Sequence, residues 1–132
     1  MARFIQPFSA TTAVALTTAI NTFLATLVNP TIVGIDYMLD RQDGRIGENY
    51  NLTLRYDDGG AALATPFLAR LDEGQNLAVP TAALKTFMDA NAAYFFGGSR
   101  AQLIDGEQLF KKYSVLTIYN VTAGASANYT NL

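Results

Sequence analysis

The sequence predicts an α+β domain: a largely antiparallel sheet with two helices packed on one face, in the order β-α-β-β-(β-β)-α-β. Three observations carry this. Leu16, Ile20, Phe23, Leu24 and Leu27 recur at the spacing of one helical stripe. Two runs of period-2 alternation flank a turn at Asp43-Gly44. A second helical pattern then precedes a long alternating strand near the end of the chain.

The elements follow in order. Arg3–Phe8 reads as a strand with Phe4, Gln6 and Phe8 on one face, and Pro7, which cannot donate to a ladder, places it at a sheet edge. Ser9 is the expected N-cap of the first helix, and Asn29-Pro30 is its expected stop. Ile32–Leu39 reads as a strand with Val33, Ile35, Tyr37 and Leu39 inward and Gly34, Asp36 and Met38 outward. Tyr50–Tyr56 pairs with it as a hairpin across Arg41–Asn49, with Leu52 and Leu54 inward.

Past a turn at Asp57-Asp58-Gly59-Gly60, Pro66–Leu71 and Asn76–Val79 form a shorter predicted hairpin around Glu73-Gly74. The second helix is expected from Pro80-Thr81, with Leu84, Phe87, Met88, Asn91 and Phe95 in register and Gly97-Gly98 closing it. Ser99–Lys112 holds a short strand or a turn, and Tyr113–Thr122 is a strand. Residues 1–122 thus read as one domain and Ala123–Leu132 as an extended tail. Ala13–Val28 is apolar but too short and too rich in Thr for a membrane span, and reads as a core helix.

Composition narrows the function. Half of the 132 residues are hydrophobic and only 15% are charged, where an average domain carries about 25%. The surface is therefore mostly Thr, Asn, Ala and Gly, which costs little to desolvate. There is no cysteine and no histidine. That removes zinc-thiolate sites, the commonest general base near neutral pH and the commonest transition-metal ligand. A net charge of −2, with nine scattered Lys and Arg, argues against a nucleic-acid surface.

Acidic residues are the remaining candidates for acid-base or calcium chemistry. Asp36, Asp40, Asp43, Glu48 and Asp57 gather around the hairpin, but Asp and Gly in turns are explained by turn chemistry, and the spacing is not that of a calcium loop. Ser9, Ser99, Ser114 and Ser126 have no histidine to activate them, and no nucleophile elbow or nucleotide-binding loop is present. Three glycosylation-type triplets at Asn51, Asn120 and Asn128 read as chance in an Asn/Thr-rich chain. The expectation is no catalytic residue, no metal and no cofactor.

Two features point to assembly. Thr17, Thr18, Asn21, Thr22 and Thr26 form the back of the first helix without a single charge, although a free helix face usually carries Glu and Lys. That face is covered either by another subunit or by the domain's own loops. The segment Ala123–Leu132 has little from which to build a core; Tyr129 and Leu132 would anchor it, on a neighbouring subunit or back on its own sheet.

The blocks RFIQPFSATTAVALTTAINTFLATL and IVGIDYMLD…NYNLTLRY, with the Ala/Thr/Asn/Gly-rich cysteine-free composition, resemble small structural proteins of tailed bacteriophage particles. The likeness covers about residues 3–56. It implies a non-enzymatic virion protein: a capsid decoration (cement) protein first, or a connector, tail or baseplate component. Its partners would be other virion proteins or copies of itself, with no nucleic acid and no membrane. The alternatives from other classes are a cytoplasmic module binding a small molecule or peptide in a pocket lined by Tyr37, Tyr50 and Tyr56, and a carboxylate enzyme acting on a glycan.

Overall fold

A computed structural model of the chain describes residues 3–27, 30–41, 48–58, 67–105 and 111–121. Within them lie β1 (Arg3–Ala10), α1 (Ala13–Leu24), β2 (Pro30–Arg41), β3 (Glu48–Asp58), β4 (Phe67–Gly74), α2 (Ala78–Ala90), β5 (Phe95–Asp105) and β6 (Lys111–Asn120). The class is α+β, mostly sheet and antiparallel throughout. The strands divide into two three-stranded sheets, ordered β1-β3-β2 and β4-β6-β5.

The core lies between the sheets. Ile35, Leu39, Leu52 and Leu54 of the first sheet meet Phe67, Ala69, Leu116 and Ile118 of the second, and Leu16, Ile20 and Leu24 of α1 join the same cluster. The helical stripe seen in the sequence is therefore the core face of α1. Phe87 of α2 instead lies against Tyr119, whose ring centroid is 5.2 Å away, on the other side of β6 from Leu116 and Ile118. The two helices thus occupy opposite faces of the second sheet, not one face of a single sheet. This is why every residue from Ser114 to Asn120 is buried. A strand covered on both faces shows no polar side.

β1 is an edge strand, as Pro7 requires. The β2–β3 hairpin is present, extended at both ends, with Tyr37 opposite Leu52 and Ile35 opposite Leu54. A register shift between Ile32 and Gly34 buries both Ile32 and Val33. At Gly34 a Cβ would run into the Arg55 guanidinium, which crosses that position to pair with Asp36. Residues 42–47 of the predicted turn, with Asp43, lie outside the described residues, as do Ala123–Leu132 with Tyr129 and Leu132.

Four local expectations are corrected. Ser9 does not cap α1: it stays in β1, donating to Asn51 Oδ1 at 2.7 Å, and Thr12 Oγ1 accepts from Ala15 N instead. The ladder to β3 holds the chain extended through Ala10, which moves the cap to the next hydroxyl. The stop at Asn29-Pro30 is also displaced, since α1 ends at Leu24 and Pro30 opens β2. Asn76–Val79 is not a strand. Asn76 Oδ1 accepts from Val79 N and α2 begins at Ala78, with Pro80 tolerated in the first turn, where no intrahelical donor is needed. Gly97-Gly98 does not close α2, which ends at Ala90; the pair lies in β5 at a register shift between Phe96 and Gly98. The segment left open between strand and turn is most of β5, paired to β6 from Phe95 to Asp105.

Candidate interaction site

α1 carries no charged residue. Val14, Ala15, Thr18, Ala19, Thr22, Ala25 and Thr26 are exposed along its outer side, and Val14 is 75% exposed. The Thr26 hydroxyl donates to the Phe23 carbonyl at 2.7 Å, and the Thr17 hydroxyl reaches the carbonyls of Ala13 and Val14 at 3.0 and 3.1 Å. Each of these hydroxyls is spent on the helix backbone. Covering them with another surface therefore breaks no hydrogen bond to a partner, and the desolvation cost of a polar group is avoided.

The five helix residues singled out in the sequence separate into two groups. Thr18, Thr22 and Thr26 are exposed, whereas Thr17 and Asn21 are half-buried and turn towards β4. Asn21 Oδ1 accepts from the backbone N–H of Ala69 at 2.7 Å. That donor points away from β6 on the outer edge of β4, where a strand edge needs covering. Asn21→Ala is expected to lower stability by about 1–3 kcal/mol, because a part-buried N–H loses its acceptor. Asn21→Asp keeps an acceptor oxygen and should lose less. Urea unfolding of both variants measures the difference.

Beyond that contact the helix and strand part to leave a groove of about 270 Å³. Ala13, Val14, Thr17 and Asn21 line it on the α1 side, Ala69 and Leu71 on β4, with Arg70 and Tyr119 completing it. Arg70 is already matched: it holds Asp72 through two 2.8 Å hydrogen bonds and lies 4.3 Å from the centre of the Phe87 ring. The strand side of this groove was not visible in the sequence, since it depends on which edge of the second sheet lies beside α1. The polar Asn21, set between Thr17 and the buried Leu24, was the one local sign of it.

Other expected sites do not come together. Tyr37, Tyr50 and Tyr56 are all core residues, so they do not line an open pocket. Tyr37 OH is within 2.7 Å of Ser114 Oγ, and Tyr50 OH donates to Glu73 at 2.7 Å. Burial pushes the Tyr37 phenol up to about 12, with the Ser114 contact acting in the opposite sense. Because the folded value exceeds the ordinary one near 10, the stabilisation is complete below about pH 10 and is lost as pH rises towards 12. The urea midpoint should therefore fall over that interval, and Tyr37→Phe should reduce the fall.

Of the hairpin acids, Asp57 accepts two hydrogen bonds from Arg3, at 3.0 and 3.2 Å, which hold its carboxyl below the usual range. Asp36 pairs with Arg55. Both lie with exposed Asp40 on the outer face of the first sheet, where Ile5 and Met38 are also exposed. Among the described residues no three acidic side chains are placed to hold a metal ion, and no helix is long and apolar enough to cross a membrane. Comparison with known protein families, curated proteins and solved structures found no match.

Proposed function

We propose that this chain is a non-enzymatic structural protein that works by binding other protein. The single observation that carries this is the charge-free outer side of α1 and the turn after it, from Val14 to Thr26, opposite a stripe of Leu16, Ile20 and Leu24 that is buried in the core. A helix exposed only to water gains from Glu and Lys at such positions, and Thr there costs a few tenths of a kcal/mol relative to Ala. Neutral surface of this kind, with the Thr26 hydroxyl already bonded to the Phe23 carbonyl, is instead suited to burial. Leu77, Val79 and Met88 add exposed apolar surface at α2, although that helix also carries the exposed Lys85–Asp89 pair.

The N-terminal strand-helix block and the hairpin favour a particle protein of a tailed bacteriophage. Capsid decoration is the preferred role, where each copy would brace the shell through contacts with its neighbours; a connector, tail or baseplate position is the second. Contacts of this kind usually bury more than about 1,000 Å² in total. The place of action would be the virion, and the partners shell proteins or further copies of the chain. A module that binds a small ligand through its tyrosines has less support, because those rings fill the core.

The test is to place charge on the exposed stripe. Thr18→Glu with Thr22→Lys sets opposite charges four residues apart, a pairing that an isolated helix tolerates. The monomer should keep its unfolding midpoint, while its copy number in particles should fall tenfold or more, since taking even a paired charge out of water costs several kcal/mol per ion. Undiminished incorporation of the double variant would exclude this surface from the contact.

A further inference from the structure

We infer that α2 is a strap that lifts off the outer face of the second sheet as a unit while the core between the two sheets stays folded. The helix owes little to that core. Pro80 is its one buried residue, Ala83, Leu84 and Phe87 are half-buried, and the rest are exposed. None of its residues belongs to the cluster that α1 and the two sheets share, whereas α1 places Leu16, Ile20 and Leu24 there. A helix of 13 residues is marginal in water by itself, so α2 lasts only as long as it is docked.

The docking rests on two points. Near the start of the helix, Val79 and Pro80 lie on Gly74 at the end of β4, so closely that a Cβ on Gly74 would stand 2.6 Å from Val79 Cβ. Near its end, the Phe87 ring lies edge-on to Tyr119 and Phe96, with centroids 5.2 and 5.9 Å away, and the Arg70 guanidinium is 4.3 Å from its centre. The helix termini add little, since the first turn holds no acid and the last turn no base to meet the helix dipole.

Lifting α2 breaks no strand pairing. β4 and β5 both run antiparallel to β6, so they are parallel to each other and α2 is the crossover that joins them. The helix stays tethered at Gly74 and Phe95 while β4-β6-β5 remains paired. What the lift uncovers is aromatic: Tyr119, only 8% exposed with Phe87 against it, and Phe96 stacked on Tyr119 at 5.4 Å. The closed chain thus hides a ring surface that opening presents without loosening the core.

Hydrogen exchange of the full chain at several low urea concentrations tests this. Amides of Ala82–Asp89 should exchange at least about a hundredfold faster than the slowest of α1 and β6, with a weaker dependence on urea, because less surface opens. They should still exchange at least about tenfold slower than in the unfolded chain. Phe87→Ala removes one docking point and should speed α2 about tenfold or more; Gly74→Ala disturbs the other and should speed it too. Ile118→Val, on the core side of β6, should speed the slowest amides of α1 and β6 about twofold to tenfold and leave α2 unchanged, since strap and core open separately. Exchange of α2 at the rate and urea dependence of β6, or acceleration of both alike by Ile118→Val, would show that α2 opens only with the whole domain and overturns the inference. So would an α2 that is unprotected in the native chain, or one that neither docking variant accelerates.

Discussion

Ile118→Ala is expected to lower the stability of the folded chain by about 2–5 kcal/mol. Ile118 has no exposed surface, sits on the central strand of the second sheet opposite Ala69, and belongs to the cluster shared with α1 and the first sheet. Removing its outer atoms leaves a cavity between layers that cannot close without moving both sheets, so transfer and packing losses add. Because most domains are stable by only about 5–15 kcal/mol, a change of this size is a large part of the total. Ile5→Ala, at a position 66% exposed on the outer face of the first sheet, should stay within about 0.5 kcal/mol. Urea unfolding followed by circular dichroism compares the two. A loss below about 1 kcal/mol at Ile118 would mean that the sheets do not share this core.

Deleting Ala123–Leu132 should have the opposite profile: little effect on the fold and a large one on assembly. Among the described residues the buried cluster runs from Phe8 to Ile118, and the small and polar composition of the segment offers little to add to it. The truncated chain should therefore unfold within about 0.5 kcal/mol of the full chain. On the proposed assembly role its incorporation into particles should fall at least tenfold, which corresponds to a loss of more than about 1.4 kcal/mol in binding. Quantitative gel analysis of purified particles reads the copy number. Particles that carry the truncated chain at full occupancy would remove the segment from the contact.

How far the sequence revealed the molecule depended on whether an element's neighbours were local. α1 was legible because its stripe of Leu16, Ile20 and Leu24 faces one core, and the β2–β3 hairpin because both strands alternate and are close in sequence. β5 stayed open between strand and turn because it is an edge strand carrying Gly97, Gly98 and alternately half-exposed polar residues, which leaves no hydrophobic alternation. The division into two sheets was hidden for a related reason. β6 is buried on both faces, so its pattern could not show which side met α2 and which met the core. Asn76 was misplaced because an Asn beside alternating residues can be read as strand or as turn, and here its side chain bonds Val79 N in the turn that leads into α2.

The interaction site divided in the same way. The lack of charge on α1 was plain in the sequence, and three of the five residues noted there are exposed. That Asn21 and Thr17 instead turn inward follows from β4, which lies about fifty residues further along the chain and meets α1 only through the tertiary fold.

Oxidative footprinting of Val14 in the free chain and in the native assembly tests most directly whether another polypeptide covers the outer side of α1. Val14 is open to solvent on the isolated domain, so hydroxyl radicals should modify it readily there and only weakly once the chain is incorporated. Equal modification of Val14 in the two states would contradict a role built on that helix.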